Sequence, residues 1–331
     1  MSSRSQLAPA ASPSLLRREL CFRAEEYARK HALPHCLTYG ANPVVAFEPH
    51  ENGHGNFLPE TYASILANPN WRKRLTKVHS SARTSLPKTD RRWCELDSCN
   101  SSDALLMNVF CHPETFSNST VRLLLAVEDN AVPEFGFKPR IPLTPGKFDR
   151  TEVDMRLGSL LVEAKLTEFD FQSKSRDVVN SYRDFAEIFD RRSLPQTFVI
   201  PSAARNPYRH DDPSVDTFVI PRSAATRNPY RHDNPSVATT THRPPARRGT
   251  YRSYQLIRNV LAAHHTGSSF CVLCDARRPD LISAWYDVMR CVRPLDLRLR
   301  CKVLTWQELS EALPHQLQEF LSEKYGISSQ Q

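Results

Sequence analysis

Apolar positions first recur at helical spacing in residues 13 to 32, where Leu16, Leu20, Ala24, Tyr27, Ala28 and His31 share one face. Ser12-Pro13 supplies a cap and a first-turn proline for that helix. The pattern then becomes mixed to about residue 100, with Trp71-Arg-Lys-Arg-Leu-Thr-Lys77 as its most basic part. Ser102-Asp103 reads as the cap of Ala104-Leu-Leu-Met-Asn-Val-Phe-Cys111, a helix apolar nearly all round and therefore buried. Val121-Arg-Leu-Leu-Leu-Ala-Val127 reads as a strand, and Pro133 to Pro145 as another extended segment. Helical spacing returns in Ser175 to Asp190 (Val178, Tyr182, Phe185, Phe189) and in Tyr251 to His264 (Tyr254, Ile257, Leu261, His264). Ser269-Phe-Cys-Val-Leu-Cys274 is short enough for a strand buried on both faces. A helix from Pro279 to Cys291, a strand at Cys301–Leu304, a capping box at Thr305-Trp-Gln-Glu308 and a helix stop at Gly326 complete the series. The expectation is a mixed α/β core.

One segment departs from this pattern. Thr197-Phe-Val-Ile-Pro201 recurs as Thr217-Phe-Val-Ile-Pro221, and Arg205-Asn-Pro-Tyr-Arg-His-Asp-Asp-Pro-Ser-Val215 as Arg227-Asn-Pro-Tyr-Arg-His-Asp-Asn-Pro-Ser-Val237. Two near-copies are too few for a solenoid. Their prolines and polar residues argue against a packed element. The segment resembles a translated interspersed DNA repeat. The expected organisation is a flexible N-terminus over 1–12, one domain built from 13–196 and 243–326, and a disordered tandem-repeat insertion over 197–242.

The 331 residues suffice for one large core. A net charge of +8 admits a polyanionic partner without requiring one. No apolar run is long enough for a membrane span. The nine cysteines fall at irregular spacings, several in apolar runs, which points to reduced thiols and a cytoplasmic setting. Cys271 and Cys274 form a C-x-x-C without a second pair, and on a strand they point to opposite faces, so a zinc site is disfavoured. His50 and His54 sit in a Gly-containing loop rather than a helical zinc motif.

The candidate chemistry lies in Glu152-Val-Asp154-Met-Arg-Leu-Gly-Ser-Leu-Leu-Val-Glu163-Ala-Lys165. Gly158-Ser159 suits a two-residue type II′ turn, since glycine in first place supplies a positive φ. Leu157 then faces Leu160, Asp154 faces Glu163 and Glu152 faces Lys165, with all four side chains on one face. Opposed carboxylates repel across a ladder, and a bound cation turns that liability into a site.

Asp154, Glu163 and Lys165 on a hairpin resemble the active site of the PD-(D/E)XK nuclease superfamily, although Val153 stands where that pattern has proline. The wider stretch from Ser101 through Phe148-Asp-Arg-Thr-Glu-Val-Asp-Met to Glu163-Ala-Lys-Leu resembles bacterial restriction-endonuclease-like proteins. The resemblance implies a restriction-endonuclease-like fold, a mixed β-sheet flanked by helices, and a metal-dependent DNA endonuclease. It also implies Asp154, Glu163 and the Ala164 backbone carbonyl as ligands of Mg²⁺, for which Mn²⁺ substitutes. Lys165 would orient or deprotonate water, and Glu152 would hold the lysine or a second metal. Gln255, Arg258 and Asn259 form a polar stripe that either contacts DNA phosphate or is a solvated face. Glu19 or Glu26 is a further candidate for approach to the metal, and Arg243, Arg247, Arg248 and Arg252 for the DNA backbone. DNA is the expected partner, with a second copy of the chain as a candidate and no membrane. The rival readings are a non-catalytic nucleic-acid-binding protein on the same scaffold, disabled by the insertion, and a hydrolase of another phosphodiester. The bland reading of the hairpin is a solvated strand face.

Overall fold

The computed structural model describes residues 11–38, 42–51, 53–78, 94–198 and 249–328. Its main helices are α1 (Pro13–Lys30), α2 (Pro59–Ala67), α3 (Ser102–Phe110), α4 (Ser119–Leu125), α5 (Tyr254–Thr266), α6 (Pro279–Met289), α7 (Trp306–Ser310) and α8 (His315–Tyr325). The main strands are β1 (Pro133–Phe137), β2 (Ile141–Leu143), β3 (Lys147–Asp149), β4 (Val153–Leu157), β5 (Leu160–Ala164), β6 (Gln196–Phe198), β7 (Gly249–Tyr251), β8 (Ser269–Cys274) and β9 (Cys301–Thr305).

Five strands form the central sheet, in the order β9-β8-β5-β4-β1. The β5, β8 and β9 strands run parallel, and β1 and β4 add an antiparallel edge. Parallel strands must be covered on both sides, and here they are. On one side Met155, Leu157, Leu160, Val162, Ala164, Cys271 and Leu273 pack against residues of α1, α3, α4, α7 and α8. On the other, Val153, Leu161, Phe270, Val272 and Cys274 pack against α5, α6 and the segment around Phe185 and Phe189. The mixed α/β core is what the apolar pattern anticipated, and a mixed sheet between helices is compatible with the restriction-endonuclease-like fold that the resemblance implied.

Most elements fall where the pattern set them. Ser12 Oγ accepts from Leu15 N–H at the start of α1. Thr305 and Glu308 form the expected capping box, and Gly326 ends α8 with φ 62°. Cys271 and Cys274 do enter opposite cores, where burial pushes both thiols up to about 12. His54 is a core histidine that bonds Asp97 at 3.0 Å.

Three expectations fail. Residues 121–127 are not a strand: Asn118 caps α4, and Val121 and Leu125, one turn apart, are the buried pair. The α3 cap is Ser101, not Ser102. Residues 175–190 hold two short helices, Arg176–Asn180 and Phe185–Ile188, rather than one.

The strand β6 extends two residues into the segment read as an insertion, and Phe198 pairs with Gly249 of β7. The chain between them, which includes almost all of the tandem repeat and Arg243, Arg247 and Arg248, lies outside the described residues, as does most of the N-terminal stretch 1–12. Segment 199–248 therefore joins two neighbouring strand ends. Closing a loop across such a gap costs little more as the loop grows.

Candidate active site

The β4–β5 turn is a two-residue loop, with Leu157 paired to Leu160 and Met155 to Val162. Gly158 takes φ 58° while Ser159 stays out of the left-handed region, as a type II′ turn requires. Alternation then carries Asp154 and Glu163 to the α5 side of the sheet.

Regular pairing ends at Asp154. Its Oδ2 accepts from the Ala164 N–H at 2.8 Å, replacing a ladder bond. Met155 and Leu157 pack in one core, but Val153 packs in the other, so the strand turns over at Asp154. On the neighbouring strand the residue at this level is Gly136, with φ 68°. A side chain there would meet Arg74 and Glu152, so only glycine fits both the conformation and the space.

That twist overturns one expectation. Glu152 does not face Lys165: its carboxylate pairs with Arg74 at 3.2 Å and Lys138 at 3.5 Å. Lys165 instead donates to Glu163 Oε1 at 2.8 Å. The unit that comes together is Asp154, Glu163 and Lys165, with Glu152 beside it rather than within it.

The backbone fixes Lys165 firmly. Its N–H donates to the Leu273 carbonyl at 2.8 Å, and its carbonyl accepts from Trp306 Nε1 at 3.0 Å. Glu163 and Lys165 are 1% and 5% exposed, which excludes an ordinary solvated strand face. The α5 helix packs over Glu163. Asn259 Nδ2 donates to Glu163 Oε2 at 2.7 Å, and Arg258 Nη2 lies 3.9 Å from the same oxygen. Arg258 also donates to Asn259 Oδ1 and to the Glu152 carbonyl. The Arg258–Asn259 stripe is thus buried and aimed at Glu163, not solvated. Gln255, one turn earlier, keeps a buried Oε1 with no hydrogen-bond partner among the described residues.

Two acidic residues join the site without having been anticipated. Asp103, in the first turn of α3, is buried and binds Arg74 at 2.6 Å and Lys77 at 3.0 Å, and its charge reaches Asp154. Glu168 accepts from Ser102 Oγ and from Leu166 N–H, and its charge acts on Lys165. Arg278, wholly buried, holds the Glu168 and Phe169 carbonyls at 2.8 and 3.1 Å. Their only sequence signals are an acid in an otherwise apolar helix and an acid three residues after Lys165. Glu19 is taken by Arg23 and Arg277, and Glu26 by Arg29, so neither belongs to this cluster. In the basic run at 71–77, Arg74 and Lys77 are likewise spent internally, whereas Arg72 and Lys73 are exposed and have no ion-pair partner among the described residues.

The two central carboxylates are electrostatically unequal. Burial raises Glu163, but Lys165 and Arg258 outweigh it and hold the carboxyl below its ordinary value. Asp154 is pushed well above the carboxylate range, first by burial and then by the charges of Glu163 and Asp103. Burial lowers Lys165, yet Glu163, Glu168 and Asp154 carry it above the ordinary lysine value. Lys165 is therefore a protonated donor. Among the described residues Asp154 has no ion-pair partner, and only its Oδ2 receives a hydrogen bond.

This donor set suits Mg²⁺, which uses one or two carboxylates and retains several waters. Among the described residues no three His, Cys, Asp or Glu side chains form a ready-made cage. The fit rests on the Asp154–Glu163 pair, the free Asp154 oxygen and the repulsion that a cation would relieve.

A family described as restriction endonuclease associating with ARP matches residues 24–326 of the chain. No curated protein and no solved structure matches it. No helix among the described residues is long and apolar enough to cross a membrane.

Proposed function

Because the chain belongs to the family of restriction endonucleases associating with ARP, we propose that it is a Mg²⁺-dependent DNA endonuclease of the PD-(D/E)XK type. The observation that carries this reading is the half-buried Asp154 carboxylate beside the buried Glu163, with Lys165 bonded to Glu163. Asp154 and Glu163 would hold the cation, which supplies charge neutralisation at the scissile phosphate and acidifies water. The N–H of Ala164 points to Asp154. In an extended strand a residue's carbonyl points the same way, so that carbonyl is the third oxygen donor.

Lys165 works as a protonated group. Anchored at both backbone atoms, it orients the attacking water or offsets charge that develops on the phosphate, rather than acting as a base at neutral pH. Asn259 and Arg258 fix the Glu163 carboxylate, and Glu168 supports the lysine. Glu152 acts at one remove through Arg74, and Gln255, one turn before Arg258 on α5, has a buried acceptor without a partner among the described residues. Mn²⁺ prefers similar oxygen donors and substitutes. DNA is the substrate, and the single domain tolerates the repeat because it leaves and re-enters at paired strand ends.

The rival is a non-catalytic nucleic-acid-binding protein. It draws on the fact that Lys165 and Asn259 occupy both oxygens of Glu163. Incubating plasmid DNA with wild-type protein and Lys165→Ala, with Mg²⁺ and with EDTA, separates the two. Cleavage that needs both Mg²⁺ and Lys165 supports the nuclease; DNA binding without such cleavage selects the rival.

A further inference from the structure

Immediately before the carboxylate strand the chain makes a second hairpin, β2–β3, with Ile141 paired to Asp149, Pro142 to Phe148 and Leu143 to Lys147. Arg140, with φ 54°, and Arg150 flank the open end of that hairpin. Asp149, the carboxylate of this hairpin, is bonded by Thr151 and Tyr182 rather than by either arginine. Arg140, Lys147 and Arg150 are exposed and have no carboxylate partner among the described residues. Lys138 beside them pairs with Glu152 at 3.5 Å. The contrast is with Arg74 and Lys77, whose charges are spent on Asp103, Glu152 and Glu95.

The hairpin is a held platform. The Arg140 guanidinium lies over the exposed Phe148 ring, 5.2 Å from its centroid. Stacking in this way leaves the planar edge of N–H donors available. Tyr182 donates to Asp149 and shares a 2.8 Å hydroxyl contact with Tyr254 at the start of α5. Backbone bonds from Thr144 to Ser181 (2.8 Å) and from Arg183 to Pro142 (3.1 Å) pin the other strand. Arg150 precedes Asp154 by four residues, so it lies within ~14 Å of it along the chain.

We propose that the β2–β3 hairpin holds the DNA phosphodiester backbone beside the carboxylate site, with Arg140, Lys147 and Arg150 each neutralising a phosphate. The identity of the polyanion rests on the nuclease reading; the binding surface itself does not require catalysis. Side chains that contact phosphate give binding that weakens with salt and is insensitive to sequence.

The test is fluorescence anisotropy of a labelled mixed-sequence DNA duplex in EDTA, titrated with full-length protein across about 50–200 mM NaCl. Wild type is compared with Arg140→Gln/Lys147→Gln/Arg150→Gln. An equal-charge control, Arg18→Gln/Arg290→Gln/Arg298→Gln, removes exposed cations elsewhere. The hairpin variant is expected to lose affinity about tenfold or more, with the salt slope reduced by about one unit per side chain. The control is expected to bind as wild type does. Equal losses in both variants, no loss in the hairpin variant, absence of DNA binding by wild type, or binding of duplex RNA but not DNA would each overturn the proposal. Hairpin-dependent binding without cleavage would keep this surface and sink the nuclease reading. Cleavage with hairpin-independent binding would do the reverse.

Discussion

Replacing Asn259 by leucine probes how α5 prepares the site. The side chain is wholly buried, and three hydrogen bonds meet on it. Its Nδ2 donates at 2.7 Å to the ionised Glu163, and a bond to a charged group contributes about 1.5–3 kcal/mol. Its Oδ1 accepts from Arg258 Nε at 3.1 Å and Nη2 at 2.8 Å. After substitution Nη2 keeps the Glu152 carbonyl, but Nε has no acceptor left. A buried unsatisfied donor costs about 1–3 kcal/mol. Leucine is of similar size, so cavity effects stay small. The sum is about 2.5–6 kcal/mol, or roughly 4–9 °C in the melting midpoint of a chain this long.

Scanning calorimetry of wild type, Asn259→Leu, Glu163→Gln and the double variant measures it. A neutral Glu163→Gln side chain has less need of the Asn259 donor, so the two substitutions should couple by about 1 kcal/mol or more. A loss for Asn259→Leu below about 1 kcal/mol, or additivity within about 0.5 kcal/mol, would refute the claim that α5 positions Glu163.

Lys165→Met strands Glu163 beside Asp154 and should destabilise by about 3–5 kcal/mol; Glu163→Gln in the same chain should recover much of it, read by urea denaturation. Asp154, raised by burial and by Glu163 and Asp103, binds its proton more tightly folded than unfolded. Its contribution to metal-free stability therefore falls as pH rises from the ordinary carboxylate value, about 3.9, to the raised folded value, and is level above it. Asp154→Asn should remove that fall, so the stability difference between variant and wild type should grow with pH in melts; a constant difference would contradict the assignment. Replacing segment 199–248 by a short Gly-Ser linker joins strand ends already paired at Phe198 and Gly249. It should preserve the fold and raise stability by about 2 kcal/mol at most; loss of the cooperative melt would contradict that placement.

Much of the fold was legible because its signals are local. The Gly158-Ser159 turn fixed the register of β4 and β5, and the Ser12 and Thr305 caps marked two helices. Residues 121–127 misled because a short apolar run satisfies both periods, and only the Asn118 cap favours the helix. The core of the candidate site was legible for the same reason as the hairpin. Glu152 was misplaced because its pairing depends on the twist at Asp154 and Gly136, which alternation alone does not contain. Asp103 and Glu168 reach the site only through tertiary packing, and the inward direction of Arg258 and Asn259 is likewise set by how α5 docks.

The most direct test follows supercoiled plasmid conversion by wild type and Asp154→Asn, in Mg²⁺ and in EDTA, after melting shows that both are folded. The account predicts cleavage by wild type only with Mg²⁺, and a rate lower by about a thousandfold or more for Asp154→Asn, as for loss of a principal charge-stabilising group. Equal cleavage by the two proteins, or cleavage that survives EDTA, would contradict it.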